Sequence, residues 1–394
     1  MKNIKGLYVK RGERNISTTG LSSSSAKLLP AGSILFSSRA PIGYIAIAEN
    51  DICTNQGFKS LVLIKKELKF FLYYQLIQKT PEIIHRASGT TFKEISGTEF
   101  GETIVAIPPL NEQIRIVTKL NMLFEKINKI NKKYLKINKL KNILRTKIID
   151  VAIRGKFTKQ LLTDESASNL IEDILKEKRM LIKECKIKKE NLSIIYKDTD
   201  NQFYEKFDDG KIINITNKIP FSIPNNWSWT RLKNIFKFIN GDRGKNYPSK
   251  EKLLLDGKIP FISAINMENN SVKKEGLLFV SDEQYNKLRT GKLQKNDFVF
   301  CIRGSLGKHC KYNYDTGAIA SSLVILRKIG EILDDYISLY LDSPLIIQEI
   351  NSTNNGTAQP NLGARDVMEY LIPIPPLNEQ FRIISKINQI RNIL

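Results

Sequence analysis

Few residues in this 394-residue sequence are of the kinds that make and break covalent bonds. There are two histidines, His85 and His309, and four cysteines, Cys53, Cys185, Cys301 and Cys310. Acid–base and nucleophile–base catalysis draw most often on imidazole, so this scarcity argues against most of that chemistry. Cys301, His309 and Cys310 form the one candidate cluster for a metal. Adjacent His309 and Cys310 lack the gap of about two to four residues that lets a loop wrap a tetrahedral ion, so the cysteines read as ordinary buried thiols. No Asn/Asp-Pro-Pro-Tyr/Phe segment for amino-methyl transfer occurs, and no Gly-x4-Gly-Lys-Ser/Thr phosphate loop. Gly304-Ser-Leu-Gly-Lys308 has the wrong spacing and no Ser or Thr after its lysine.

The chemistry that remains is recognition. Arginine offers a fork of donors that matches guanine, and Asn or Gln matches adenine, when loops present them to the major groove. In the first half of the chain the candidates are Ser38, Arg39, Thr90, Thr91 and Lys93. In the second half they are Arg303, Ser305, Lys308, Thr357, Gln359 and Asn361, with Lys311 and Arg365 as phosphate contacts. Both halves keep the arginine although a reader of different sequences should diversify. Arg39 and Arg303 therefore have a second reading, as braces of the glycine turns beside them. Gln359 and Asn361, which replace the Lys93 and Glu94 chemistry of the first half, are the better candidates for base contacts.

The elements that hold these residues are revealed by an internal repeat. Ile107-Pro-Pro-Leu-Asn-Glu-Gln-Ile-Arg-Ile116 recurs as Ile374-Pro-Pro-Leu-Asn-Glu-Gln-Phe-Arg-Ile383, nine identities in ten positions at an offset of 267. Gly89-Thr90 matches Gly356-Thr357 at the same offset, and Arg39-Ala-Pro-Ile-Gly43 matches Arg303-Gly-Ser-Leu-Gly307 at an offset of 264. The chain thus reads as two divergent copies of one mixed α/β module. In each, a strand (Gly32-Ser-Ile-Leu-Phe-Ser or Asp297-Phe-Val-Phe-Cys-Ile) leads into the Arg turn and more β-rich sequence. A short helix follows, at 69–76 or 337–345, then a polar Gly-Thr loop and a last strand at 103–107 or 370–374.

Pro-Pro-Leu-Asn-Glu-Gln predicts a helix start, with Pro in the first turn and Glu112 or Glu379 where the helix dipole favours an anion. Leu120, Leu123, Ile127, Ile130, Tyr134, Ile137, Leu144, Ile148 and Val151 then keep the alternating three- and four-residue spacing of a coiled-coil seam, broken at Lys141. Ile387, Ile390 and Leu394 begin the same seam in the second copy. The two helices should pair and set the modules apart; the alternative is that each buries its stripe on its own domain. Residues 163–217 are polar and acid-balanced and read as a helix followed by a linker. In Asn226-Trp-Ser-Trp229 the indoles are expected in the core rather than stacked on bases.

The doubled Pro-Pro-Leu-Asn-Glu-Gln, Ala152-Ile-Arg-Gly-Lys156 after the first helix and Ile223-Pro-Asn-Asn-Trp-Ser-Trp229 at the head of the second module resemble the specificity subunit of type I restriction-modification systems. Ser37-Ser-Arg-Ala-Pro-Ile-Gly43 and Gly89-Thr-Thr-Phe-Lys-Glu94 resemble its target recognition domains. The resemblance covers essentially the whole chain. It implies an α+β fold with two tandem recognition domains and long coiled-coil helices in a pseudo-two-fold repeat. The implied layout is a first recognition domain at 1–107, a spacer helix at 108–162, the helical segment and linker at 163–217, a second recognition domain at 218–374 and the start of a second spacer helix at 375–394. It implies that each domain reads one half of a split double-stranded DNA site and that the helices act as a ruler.

The same resemblance implies two methyltransferase subunits and restriction/translocase subunits as partners, with S-adenosylmethionine, ATP and Mg on those partners and no cofactor or catalysis on this chain. Arg39 lies 38 residues from the start whereas Arg303 lies 84 residues after Ile219, so the first module lacks about forty-five residues that the second has. If the family pattern holds, the first domain has lost its opening strands; either the chain is a shortened or rearranged form or the missing parts come from another subunit, and self-association through the short second helix is an expectation. Other readings are a stand-alone DNA-binding regulator, the recognition part of a fused restriction–methylation enzyme, and an RNA-binding or coiled-coil scaffold protein. Exposed aromatic pairs on one sheet would favour RNA, and the Phe and Tyr here are scattered through apolar runs.

Composition is consistent with recognition of a polyanion. The chain is 41% hydrophobic and 26% charged, and 62 Lys and Arg against 40 Asp and Glu leave +22. Half of that excess, +11, sits on the 42 residues 119–160, which places nonspecific attraction on the spacer helix and leaves specificity to the modules. No apolar run reaches membrane-spanning length and no signal peptide follows Met1, so a cytoplasmic protein without membrane contact is expected.

Overall fold

The computed structural model describes residues 6–89, 93–354 and 360–392. It divides into two compact units, Met1–Lys136 and Ile137–Leu394, and the helix Leu110–Ile153 contributes to both.

The first unit is built on a four-stranded sheet in the order Tyr8–Val9, Ile45–Ala48, Ile34–Ser37, Phe58–Leu61, with the first pair parallel and the others antiparallel. Side chains alternate across a strand, and this sheet is apolar on both faces. Ile34, Phe36, Ile45 and Ile47 pack with Leu76 and Ile83 of the helix Lys69–Arg86, while Leu35, Ala46 and Ala48 face a smaller cluster with Val9, Leu29 and Phe58. The helix is thus more than twice as long as expected from 69–76. Residues 103–107, expected as a strand, are not in one, although their counterpart Leu371–Ile374 pairs with Ser228–Arg231.

The second unit holds two four-stranded sheets. One runs His309–Lys311, Phe298–Cys301, Leu323–Lys328, Phe236–Asn240; the other runs Leu278–Val280, Ile259–Ile262, Thr316–Ile319, Lys292–Gln294. Helices Asp334–Leu341 and Pro344–Thr353 cover the first sheet with Tyr336, Ile337 and Tyr340, and a Ser343 cap with Pro344 behind it separates them. The expected single helix at 337–345 is therefore two. Trp227 and Trp229 lie in this core, 4% and 1% exposed, as their apolar area dictates.

Residues 163–217 are not a linker. The helix Ala167–Lys183 is followed by an antiparallel sheet of Ser193–Lys197, Phe203–Phe207 and Ile212–Asn214, and Ile171, Leu192, Ile195 and Ile215 join the main core of the second unit. The polar composition concealed this because several of the segment's polar residues are themselves buried and paired. Glu205 takes Arg231 through Nη2–Oε2 at 2.6 Å and accepts Ser193 Oγ at 2.6 Å, and Asn234 donates to the Ser193 carbonyl. A buried pair of this kind needs every remaining lone pair met, as here.

Both Pro-Pro-Leu-Asn-Glu-Gln copies start helices, Leu110–Ile153 and Leu377–Arg391. The second copy is also a packing device. Glu379 is fully buried and its carboxylate accepts Thr158 Oγ1 and Gln160 Nε2, each at 2.7 Å, and the Trp227 indole N–H at 2.8 Å. Arg382 clasps Asp164 with both terminal nitrogens, and this hydrogen bonding holds the Asp164 carboxyl below its ordinary range. Ile383 and Ile387 meet the end of the long helix near Ile148 and Ile149. Among the described residues of the second unit, these are the turns at which the two helices meet. Within the first unit Leu123, Ile127, Ile130 and Tyr134 of the seam stay exposed, as do Ile137 and Leu144 within the second.

Candidate nucleic-acid interface

In the second module the Arg303 turn leaves the end of strand Phe298–Cys301 and is laced to the loop that carries Asn361. Gly304 N–H donates to the Pro360 carbonyl at 3.0 Å and Leu362 N–H to the Ile302 carbonyl at 2.9 Å. Arg303 Nε donates to Asn361 Oδ1 at 3.1 Å. Both terminal nitrogens of Arg303 have no partner among the described residues, so the guanidinium is oriented by one edge and open at the other. That is the arrangement a bidentate contact needs. The turn sits hard against helix Pro344–Thr353: Gly307 has φ +75° and a Cβ there would lie 2.6 Å from Ile350 Cδ1. This close approach explains the repeated glycine.

The first module is laid out the same way. Ile95 N–H donates to the Ser38 carbonyl at 3.0 Å, and Gly43, at φ +99°, would put a Cβ 2.4 Å from Thr80 Cγ2 of helix Lys69–Arg86. Where the second module has Asn361, the first has Glu94, whose carboxylate lies 3.8 Å from Arg39 and 3.9 Å from Lys59. The two readings of the repeated arginine thus meet in one geometry, in which each guanidinium faces the neighbouring loop. The amide partner leaves the Arg303 charge uncompensated, and the carboxylate partner offsets that of Arg39.

Sequence reasoning missed Arg243 and Arg289. Gly241-Asp-Arg-Gly244 follows strand Phe236–Asn240, and Gly241 is required because a Cβ would lie 2.5 Å from the Ala320 carbonyl oxygen. Asp242 shapes the turn by accepting Gly244 N–H at 3.0 Å and Arg289 N–H at 2.9 Å, and these backbone donors hold its carboxyl low. Arg243 feels burial and, after it, the positive Arg303, both of which lower its pKa. An arginine held near a like charge attracts an anion. The available signal was an Arg bracketed by glycines just after an apolar strand; it has no counterpart in the first module, so the repeat could not point to it.

The remaining candidates scatter. Ser38 is fully buried and its hydroxyl has no hydrogen-bond partner, so it is not a surface contact. Lys93, Ser305 and Arg365 are exposed, and Lys308 reaches the Ala264 carbonyl at 2.7 Å. Lys311 is not a free phosphate contact, because it pairs with Asp334 at 2.7 Å. Burial alone would raise the Asp334 carboxyl, but hydrogen bonds from Lys311 and Lys328 hold it below its ordinary value. Thr90, Thr91, Thr357 and Gln359 lie outside the described residues. Cys301 and Cys310 are buried; burial pushes the Cys310 thiol up to about 12, and His309 rests on Asp342 at 3.3 Å. No helix is long and apolar enough to cross a membrane among the described residues.

Comparison with known proteins agrees with this duplicated layout. Residues 2–142 and 224–394 match the family model described as the type I restriction modification DNA specificity domain. The type I restriction enzyme MjaIX specificity subunit of Methanocaldococcus jannaschii is 25% identical over 95% of this chain and 74% of its own length. The EcoAI specificity subunit of Escherichia coli is 24% identical over 63% of this chain but only 39% of its own length. The HsdS subunit from Thermoanaerobacter tengcongensis shares the fold at a TM-score of 0.50 and 17% identity, covering 95% of this chain and 77% of that one. A solved chain from a study of type I R-M system assembly and conformational transition gives a TM-score of 0.59 at 17% identity, over 95% and 78%. With both modules matched, and the repeated Arg turn and Pro-Pro-Leu-Asn-Glu-Gln helix start in each, the chain belongs to the type I restriction-modification DNA specificity domain family.

Proposed function

We propose that this chain is the DNA-reading subunit of a type I restriction–modification complex, each module reading one half of a bipartite site. The observation that carries the proposal is the pair of equivalent turns, each with an arginine facing an adjacent loop that differs in kind, Glu94 in one and Asn361 in the other. A shared frame with one altered side chain is what two readers of different half-sites require. In the second module Arg303 supplies the open donor edge, Asn361 fixes its plane, and Arg243 adds positive charge for the phosphates. The long basic helix supplies sequence-independent attraction. Two methyltransferase subunits and the restriction/translocase subunits complete the complex and carry S-adenosylmethionine, ATP and Mg; this chain contributes recognition and scaffolding.

The test is copurification with methyltransferase subunits followed by genome-wide mapping of methylated adenines. A two-part motif is expected, and Asn361→Ala should relax one base position in one half by about 1–3 kcal/mol while leaving the other half untouched. Uniform loss at every sequence, or a change in both halves, would sink the assignment. Tight site-selective binding by the chain alone, with no methyltransferase recovered, would favour a stand-alone regulator.

A further inference from the structure

In the second module, strands Phe298–Cys301, Leu323–Lys328 and Phe236–Asn240 lie side by side, with Cys301 opposite Leu323 and Asn240 opposite Val324. The turns that carry Arg303 and Arg243 therefore leave the sheet at the same end, and Ser321-Ser322 joins them. Ile302 N–H donates to the Ser322 carbonyl at 2.9 Å, and Arg243 Nη2 donates to the Ser321 carbonyl at 3.4 Å. Neither arginine has an ion-pair partner among the described residues. The carboxylate built into the Arg243 turn is turned inward: Asp242 is 2% exposed and its oxygens accept Gly244 N–H and Arg289 N–H.

The contact between Arg303 and Asn361 decides which way the amide points. An arginine nitrogen only donates, so the group facing Nε at 3.1 Å is the amide oxygen and the NH2 is directed elsewhere. That NH2 and both terminal nitrogens of Arg303 have no partner among the described residues. The Arg303–Asn361 pair thus presents donors alone. Asparagine reads adenine with its oxygen and NH2 together, accepting from N6 and donating to N7. Here the oxygen is already taken. Guanine offers two adjacent acceptors in the major groove, N7 and O6, whereas adenine N6 and cytosine N4 present N–H groups and thymine offers O4 beside a methyl. The first module differs: the Glu94 oxygens lie 3.8 Å from Arg39 and 3.9 Å from Lys59, beyond hydrogen-bond distance, so acceptors stand open beside the arginine.

We infer that the half-site read by the second module carries a guanine under Arg303, whose two terminal nitrogens donate to its N7 and O6, and that Asn361 makes the site guanine-selective by withholding an acceptor. Arg303 is the contact, and Asn361 is the specificity-determining neighbour that fixes the plane of the fork. In the first module the open Glu94 carboxylate takes instead the exocyclic amine of adenine or cytosine. The inference rests on the DNA-reading role proposed above and adds to it the base that one module demands.

The experiment is selection of random DNA duplexes by the full chain, with methyltransferase subunits bound where they copurify, followed by binding to single-atom analogues of the selected site. A split motif is expected with a required guanine in one half. Replacing that guanine by 7-deazaguanine, which lacks the N7 acceptor, should weaken binding about fivefold or more. Inosine, which keeps N7 and O6 and lacks only the minor-groove amine, should bind as the parent does. Arg303→Lys keeps the charge and loses the fork, so it should remove the difference between guanine and 7-deazaguanine. Asn361→Glu restores an acceptor and should exchange the guanine for adenine or cytosine on the same strand, and Glu94→Asn should bring a guanine into the other half. A split motif with no required guanine, 7-deazaguanine bound as tightly as guanine, or a preference unmoved by Asn361→Glu overturns this inference and leaves the two-module reading standing. Enrichment of no sequence overturns both.

Discussion

Residues 107–116 and 374–383 differ at one position in ten, yet they inhabit different surroundings. Glu379 is sealed under Thr158, Gln160 and Trp227, whereas Glu112 is exposed. Arg382 grips Asp164, while Arg115 has no ion-pair partner among the described residues. Gln380 Oε1 accepts the Leu333 amide, but Gln113 Oε1 is buried with no partner. The lesson is that the motif codes for a helix start in both places, and its stabilising value is set by the chain that folds back over it. Local sequence fixes the first property and tertiary context the second.

That contrast can be broken most severely at Arg231, in a strand with no counterpart among the described residues of the first unit. Arg231→Ala strands the Glu205 carboxylate, whose side chain is 2% exposed. It should cost the second unit about 3–5 kcal/mol in urea unfolding. Next, Glu379→Ala leaves three donors unmet and should cost about 2–4 kcal/mol, while Glu112→Ala stays within about 0.5 kcal/mol. Equal costs would show that both copies are covered in solution.

A pH titration sharpens the same difference. The Asp164 carboxyl is depressed by Arg382, so its contribution is present above the ordinary carboxylate range and is lost as pH falls through the lower folded value. Acid should therefore destabilise the second unit as the pH falls through that window. Asp164→Asn should flatten that limb of the stability curve and leave the first unit's curve unchanged. The smallest expected effect is at Lys311. Because it is bound to Asp334, Lys311→Ala should leave DNA affinity and its salt dependence nearly unchanged and cost about 1 kcal/mol or less of stability. A uniform affinity loss would return Lys311 to the phosphate-contacting set.

Much of the scaffold is legible in the residues. The repeat located equivalent strands, turns and helix starts because apolar periodicity and Pro-Pro leave little choice locally. Trp227 and Trp229 were readable as core from side-chain area alone. What escaped detection depends on partners distant in sequence. The sheet at 193–214 hides behind polar residues whose reward comes from Arg231 and Asn234, and the Lys311–Asp334 pair cannot be seen from either residue. Ser38 looked like a loop residue, but the sheet swallows it. Arg243 was missed because the repeat highlights what is shared, and the Gly241–Gly244 turn that carries it belongs to one copy. The Asn361 candidacy stands on geometry the sequence only hinted at, namely a loop laced to the Arg303 turn.

That lacing has a consequence for how recognition can change. The cross-links are main-chain: Ile95 N–H to the Ser38 carbonyl in one module and Leu362 N–H to the Ile302 carbonyl in the other. Neither involves the side chain at 94 or 361. The position that faces the arginine is thus a socket whose fitting can be exchanged while the fixture stays bolted to its helix through Gly43 or Gly307. Under the proposed reading, a single codon there would retarget a half-site without asking the fold to be reinvented.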